Sequence, residues 1–228
     1  YTRQFLHFLS EFDIIVCSFQ YELCYTNVLT VLDLAGLPLR AKDRPQDAPL
    51  ILGGGPCCAN PEALADFFDA FLLGDGEEAI VEITRAWKDA ISQGSRDSAL
   101  RALADIDGVY VPSLYEVSYN DDGTLNGIEA REGVREEVRS RLVFDLENAP
   151  FPEKPLVPVI PVIHDRVTIE IMRGCLNGCR FCSAGMLYRP QRYRSVDKVV
   201  ELARKGYDAT GYDTVNLLSL SSSDHPDL

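Results

Sequence analysis

Short apolar runs alternate with amphipathic stretches along the first part of the chain. The apolar runs have the length of strands and occupy 13–19, 48–55 and 70–74. The amphipathic stretches have apolar residues at helical spacing and occupy 25–36, 61–68 and 77–94. Strands and helices that alternate with short connections indicate a parallel sheet covered by helices. The pattern predicts an α/β fold with a doubly wound sheet of the Rossmann or flavodoxin type, whose functional loops lie at the carboxyl ends of the strands.

A hairpin and a proline-rich segment follow these elements. Residues 96–107 have a further helical pattern, and the alternating residues after them turn at Asp122-Gly123, a dipeptide typical of β-hairpins. Five prolines fall within 149–161, a density that neither a helix nor a central strand tolerates. The predicted division of the chain is a first domain with the hairpin, an extended linker and a second domain, over 1–148, 149–163 and 164–228.

The second domain contains only part of a repeating unit. Strand, helix and strand patterns occupy 167–172, 195–206 and 213–222. Ser195 is placed to cap the helix and Gly206 to end it. One and a half βα units are too few to cover both faces of a parallel sheet. Because the opening sequence also lacks an initiator Met and is typical of the middle of a helix, we expect the chain to be a fragment of a longer protein.

Composition narrows the class of protein. The 228 residues are 46% hydrophobic and 25% charged, which is typical of a globular protein of one or two domains. No run approaches the roughly 18 apolar residues of a membrane helix, and the opening residues lack the basic n-region and apolar h-region of a signal peptide. A cytoplasmic protein without a membrane partner is therefore expected. The net charge of −13 argues against general affinity for nucleic acid. A role for nucleic acid stays open, because residues 173–205 alone have eight basic and two acidic residues.

Three cysteines lie within one short loop after the strand pattern of the second domain. They are Cys175, Cys179 and Cys182, with the spacing C-x3-C-x2-C. Gly174 and Gly178 allow such a loop to wrap around a metal centre, and a reducing compartment favours metal binding over disulfides. A structural zinc ion takes four protein ligands, whereas a [4Fe–4S] cluster held by three thiolates keeps one iron open. A zinc site completed by a distant ligand, or coincidence, is the alternative.

The string C-x3-C-x-aromatic-C, with Phe181 as the aromatic residue, resembles the radical S-adenosylmethionine (radical SAM) enzymes. The resemblance implies that the three cysteines bind a [4Fe–4S] cluster whose open iron chelates the amino and carboxylate groups of S-adenosylmethionine. Electron transfer from the cluster then cleaves the sulfonium and gives a 5′-deoxyadenosyl radical. It also implies that residues 164–228 are the first βα units of a TIM-like barrel, here incomplete, and that flavodoxin or ferredoxin supplies the electron.

Polar residues near the loop are further candidates under this resemblance. Family members usually have a glycine-rich stretch after the second strand, near the methionine amino group, where this chain has LSLSSSDH over 218–225. The hydroxyls that would replace it are those of Ser219, Ser221, Ser222 and Ser223. Four arginines either bind a carboxylate or phosphate or lie solvated at the surface, namely Arg173, Arg189, Arg192 and Arg194.

The first domain resembles the cobalamin-binding domains of some radical SAM enzymes. The resemblance rests on two loops that follow strands, Gly53, Gly54, Gly55 and Gly74, Asp75, Gly76, Glu77. It implies a corrinoid against these glycines, although the D-x-H-x-x-G motif that supplies an axial histidine is absent. A cobalamin-like fold that has lost its ligand is the alternative. We expect the other four cysteines to be passive loop or core residues, namely Cys17, Cys24, Cys57 and Cys58.

The sequence therefore predicts a radical SAM enzyme, or part of one, that acts on an unknown substrate. Methyl transfer through cobalamin and modification of an RNA or a ribosomal component suit relatives of this layout. One alternative is a non-catalytic iron–sulfur or zinc module. A second is an enzyme similar to the tRNA methylthiotransferases, whose additional cysteine trio the N-terminal cysteines match poorly. Because most of the barrel would lie outside this chain, we expect the chain alone to be poorly stable and inactive.

Overall fold

The computed structural model describes residues 7–160 and 162–227. The chain divides into two compact units, residues 1–142 and residues 143–228. This division falls earlier than the predicted linker at 149–163, because arginine side chains of the second unit bind the backbone that follows residue 142. The assignment of the units as cobalamin-binding-like and barrel domains stays a prediction. The opening sequence is predicted to be helical, and its residues 1–6 lie outside the described residues.

The first unit contains a four-stranded sheet. Its strands are β1 (Ile14–Ser18), β2 (Leu50–Gly54), β3 (Ala70–Leu72) and β4 (Val109–Tyr110). The first three strands are parallel and match the predicted strands, whereas β4 runs antiparallel to β3 at the edge. The strand order β1-β2-β3-β4 advances in one direction. The described strands therefore form an α/β sheet without the reversal of order that defines a doubly wound sheet, contrary to the prediction.

Three α-helices accompany this sheet where the sequence predicts them. They are α1 (Tyr25–Leu34), α2 (Ala79–Gln93) and α3 (Arg96–Ala104). The predicted helix over 61–68 is wrong, because only Pro61–Leu64 forms a 3-10 turn. The carbonyls of Asp66 and Phe67 accept hydrogen bonds from the Ala41 N–H and the Arg44 guanidinium. These long-range bonds hold the segment in an irregular path that leads directly into β3.

The predicted hairpin is confirmed in the first unit. Strands β5 (Tyr115–Tyr119) and β6 (Leu125–Ala130) pair in antiparallel fashion. The turn contains Gly123 with φ of +81°, in the left-handed region that glycine adopts without steric cost. The side chain of Asp122 accepts a hydrogen bond from the Thr124 N–H, as aspartate does in Asx turns.

The described residues of the second unit contain two strand pairs and two α-helices. In chain order they are β7 (Val167–Glu170), β8 (Met172–Arg173), α4 (Ala184–Leu187), β9 (Arg192–Tyr193), α5 (Val196–Thr210) and β10 (Val215–Leu218). β7 and β10 pair in parallel, and β8 pairs with β9 in antiparallel fashion. The predicted βαβ order is thus confirmed over β7, α5 and β10.

Helix α5 begins as predicted and ends later than predicted. The Ser195 hydroxyl accepts a hydrogen bond from the Lys198 N–H at 3.1 Å, which confirms Ser195 as the N-cap. The helix ends at Thr210, with Gly211 as its C-cap at φ of +73°, and not at Gly206. Gly206 is buried inside the helix, where a Cβ atom would lie 2.6 Å from Cγ1 of Val167. Glycine is needed there because α5 packs closely on β7.

The proline-rich segment has the predicted irregular character. Residues 151–160 contain no helix or strand, and Leu156, Val159 and Ile160 are largely exposed. Pro161 lies outside the described residues. Among the helices of residues 7–160 and 162–227, none combines the length and the apolar composition that crossing a bilayer requires.

Candidate metal centre

The cysteine loop begins directly after β8 and is held tightly at its base. Gly174 has φ of +90°, and a Cβ atom there would lie 2.6 Å from the Tyr188 carbonyl oxygen and 2.7 Å from that of Pro190. Gly185 in α4 has a similar role, since its Cβ would lie 2.8 Å from the Asn177 carbonyl oxygen. The loop can therefore fold back on the following residues only because glycine occupies both positions.

The three cysteines are free thiols on this loop. Cys175 and Cys182 are partly buried, Cys179 is exposed, and the Cys182 N–H donates to the Cys179 carbonyl at 3.1 Å. Among the described residues, no group of three or more Cys, His, Asp or Glu side chains is arranged to hold one metal ion. A [4Fe–4S] cluster takes each thiolate on a different iron, so its ligands do not converge on a single point. Three thiols on one irregular loop are a donor set that fits such a cluster.

Phe181 lies between two of these cysteines and is not part of a core. Its side chain is 92% exposed, an unusual environment for a large apolar residue. No packing requirement within the described residues accounts for an aromatic residue here. The position and exposure of Phe181 leave its ring available to a ligand beside the cysteines.

The second loop of the site follows β10 and meets the cysteine loop. Because β7 and β10 are parallel neighbours, their carboxyl ends lie at the same edge of the sheet. Asn177 Nδ2 donates to Asp224 Oδ2 at 2.8 Å, which joins the two loops. The same nitrogen lies 3.5 Å from Cys175 Sγ. Neither Asn177 nor Asp224 is predicted from the sequence, since only the parallel pairing of two strands brings these distant residues together.

The serines of this second loop are partly engaged with one another. The hydroxyls of Ser219 and Ser222 are hydrogen bonded at 2.8 Å, Ser221 is partly buried and Ser223 is exposed. The loop contains a 3-10 turn over Ser222–Asp224. The loop touches the cysteine loop through Asp224, and the contact of these hydroxyls with a ligand stays a prediction.

His225 fixes the end of the serine loop. It is buried, and its Nδ1 accepts a hydrogen bond from the Asp227 N–H at 3.2 Å. The other ring nitrogen, Nε2, therefore carries the proton and donates to the Arg194 carbonyl at 3.0 Å. The ring also packs edge-on against Tyr193. The imidazole thus anchors the serine loop to the backbone that follows β9.

Two of the four candidate arginines are buried structural residues. Arg194 is 1% exposed and donates to the backbone carbonyls of Leu146, Glu147 and Glu170. Arg192 is 5% exposed and donates to the carbonyls of residues 143, 188 and 190. The solvated alternative is wrong for both arginines, because they are buried and donate to backbone carbonyls. They hold residues 143–149 in the second unit.

The other two arginines differ from each other. Arg173 donates through Nε and Nη2 to both carboxylate oxygens of Glu170, each at 2.9 Å, in the fork geometry that suits a guanidinium. Arg189 is exposed. Arg173 is thus already paired, and Arg189 keeps both of its predicted alternatives open.

Most of the N-terminal glycines are explained by the packing of the chain on itself. A Cβ at Gly55 would lie 2.6 Å from the Phe19 carbonyl oxygen, and one at Gly74 would lie 2.1 Å from that of Arg141. A Cβ at Gly53 would lie 2.5 Å from the ring of Phe71. A Cβ at Gly76 would meet only the Leu72 side chain, at 3.6 Å, and a Cβ at Gly54 would meet nothing within 4 Å. Close approach of a corrinoid is therefore not needed to account for Gly53, Gly55 and Gly74.

The four N-terminal cysteines have the passive character that the sequence predicts. Cys58 is buried, and Cys17, Cys24 and Cys57 pack against the core of the first unit. Burial raises the pKa of the Cys58 thiol to about 12, and burial also raises the pKa of Cys17. A thiol that stays protonated is a poor nucleophile and a poor metal ligand.

Comparisons with known proteins identify the family of the chain. Residues 2–112 match the family of radical SAM proteins, N-terminal, and residues 169–228 match the radical SAM superfamily. The chain is also 25% identical over 220 residues to the uncharacterized protein MJ0966 of Methanocaldococcus jannaschii, a match that covers 95% of this chain and 40% of that protein. No solved structure matches the chain.

The chain therefore belongs to the radical SAM superfamily. Membership implies a [4Fe–4S] cluster and S-adenosylmethionine, and it gives no support for cobalamin. The chain spans about 40% of the length of the curated relative that it matches.

The base of the cysteine loop gives a first testable prediction. Gly174→Ala should abolish or strongly reduce cluster assembly, because a positive φ and two backbone oxygens below 3 Å forbid a side chain there. The backbone strain alone costs about 1–3 kcal/mol. Gly178→Ala is the matched control, since a Cβ there would meet nothing within 4 Å. Iron content after anaerobic reconstitution checks the pair, and equal iron in both variants would contradict the prediction.

Proposed function

We propose that this chain provides the cluster and S-adenosylmethionine site of a radical SAM enzyme. The observation that carries the proposal is the loop of three free thiols at the carboxyl end of β7 and β8, hydrogen bonded to the loop after β10. Cofactors of α/β proteins bind at this edge of the sheet, where loops from neighbouring strands converge. Superfamily membership supports the assignment.

The residues of the chain have separate roles in this proposal. Cys175, Cys179 and Cys182 would hold a [4Fe–4S] cluster, which supplies the electron that cleaves the sulfonium of S-adenosylmethionine. Phe181, exposed beside the last cysteine, would contact the adenine ring. The hydroxyls of the serine loop would face the methionine end.

The finer parts of the proposal concern partners and substrate. The electron would come from flavodoxin or ferredoxin in the cytoplasm, and the substrate is unknown. Methyl transfer and modification of an RNA or a ribosomal component are the reactions that the layout suggests. A corrinoid on the first unit would have Gly54 as its best point of approach, because a Cβ atom at that glycine would meet nothing within 4 Å.

Anaerobic reconstitution of the chain with iron and sulfide tests the proposed function. We expect about four irons and four sulfides per chain, and a change in the EPR spectrum of the reduced cluster when S-adenosylmethionine is added, because one iron is open. An EPR spectrum that does not change when S-adenosylmethionine is added would favour the alternative of a non-catalytic iron–sulfur module. One tightly bound zinc ion in place of iron would overturn the proposal.

A further inference from the structure

We propose that Asp224 is a positioning residue that acts through Asn177 on the sulfur of Cys175 and so raises the reduction potential of the cluster. The inference rests on the proposed function, because it concerns a cysteine that would bind an iron. It goes beyond that function because it assigns roles to Asp224 and Asn177, neither of which is a ligand.

The geometry is a relay of two hydrogen bonds from one amide group. Asn177 Nδ2 lies 2.8 Å from Asp224 Oδ2 and 3.5 Å from Cys175 Sγ. An asparagine amide has two N–H groups, so the nitrogen donates to both partners at once. The distance to sulfur suits an N–H···S contact, since sulfur is larger than oxygen. Asp224 thereby fixes the rotation of the amide that directs the second N–H at Cys175.

Asp224 is itself held on a rigid support. It ends the 3-10 turn Ser222–Asp224, in which its N–H donates to the Ser221 carbonyl at 3.0 Å. The next residue, His225, is buried and donates to the Arg194 carbonyl at 3.0 Å. The carboxylate therefore does not depend on the cysteine loop for its position. Asn177, by contrast, lies on the irregular and exposed part of that loop, where an anchor is needed.

A hydrogen bond to a cysteine sulfur has a defined effect on an iron–sulfur cluster. Reduction adds negative charge that spreads onto the sulfurs, so a donated N–H stabilises the reduced form and raises the potential. The carboxylate of Asp224 has the opposite effect, because a nearby negative charge disfavours reduction. An experiment must therefore separate the loss of the hydrogen bond from the loss of the charge.

Two substitutions of Asp224 make that separation. Asp224→Asn and Asp224→Ala both remove the charge, but only Asp224→Asn keeps an oxygen that accepts from Asn177. At a fixed potential we expect the ratio of reduced to oxidised cluster to be about tenfold lower in Asp224→Ala than in Asp224→Asn, a difference of about 59 mV for a one-electron couple. In an Asn177→Ala background this difference should vanish, because the relay is already broken.

The outcomes are measured by EPR-monitored redox titration of the reconstituted chain. Equal potentials for Asp224→Asn and Asp224→Ala would overturn the proposal, as would a difference that persists in the Asn177→Ala background. A second readout needs no cluster: the NMR shifts of the Asn177 side-chain amide should move in Asp224→Ala and stay closer to those of the unmodified chain in Asp224→Asn. If no cluster assembles, the proposed function and the effect on potential fail together, while the amide shifts still decide whether the relay exists.

Discussion

Cys179→Ala should leave the chain unable to hold its cluster. The substitution removes one of three thiolate ligands, and the two that remain cannot bind three irons of a [4Fe–4S] cluster. Iron after anaerobic reconstitution should fall from about four per chain to well under one. Cys179 is exposed, so its loss should change the free energy of unfolding by less than about 0.5 kcal/mol. Iron and sulfide assays beside a circular dichroism melt measure both effects.

A cysteine of the first unit supplies the control for this prediction. Cys57 is a free, partly buried thiol, and Cys57→Ala should keep its iron. If Cys57→Ala lost its bound iron and Cys179→Ala kept it, the metal site would lie in the first unit. That result would revive the alternative of an enzyme similar to the methylthiotransferases, in which N-terminal cysteines bind iron.

Local patterns in the sequence predict much of this fold and its principal ligands. The apolar runs that become β1, β2 and β7 each consist of consecutive residues, so their strand character is visible without knowledge of their neighbours. The N-cap role of Ser195 is also visible in the local sequence, because an N-cap is defined by residues within one helical turn. The cysteine spacing is equally local, since all three thiols lie on one loop.

Features that depend on distant residues could not be predicted. Gly206 looks like a helix end in the sequence, and only the approach of Val167 shows that it permits close packing inside α5. The pairing of Asn177 with Asp224 depends on which two strands are neighbours in the sheet. The burial of Arg192 and Arg194 could not be predicted for a related reason. Their guanidinium groups donate to backbone carbonyls, so no acidic partner residue in the sequence indicates that these arginines are buried.

Arg194→Ala should destabilise the second unit by about 3 kcal/mol or more. Arg194 is 1% exposed, and its guanidinium donates to the carbonyls of Leu146, Glu147 and Glu170. The guanidinium carbon also lies 5.5 Å from the centroid of the Phe151 ring. Its removal leaves several buried acceptors without a donor and a void beside the ring. Hydrogen exchange measures the effect through loss of protection at the amides of β7 and α5.

The chain offers an internal reference and two control variants for this experiment. Trp87 is the single tryptophan and lies in the core of the first unit, so its emission reports that unit. This emission should not change in Arg194→Ala.

Arg189→Ala removes an exposed guanidinium, and its free energy of unfolding should stay within about 0.5 kcal/mol of that of the unmodified chain. Arg194→Lys should give an intermediate loss, because one ammonium keeps the charge but cannot match the planar fork that reaches several carbonyls. Unchanged protection in Arg194→Ala would show that residues 143–149 are held by other contacts, and the arginine would then lose the structural role assigned to it.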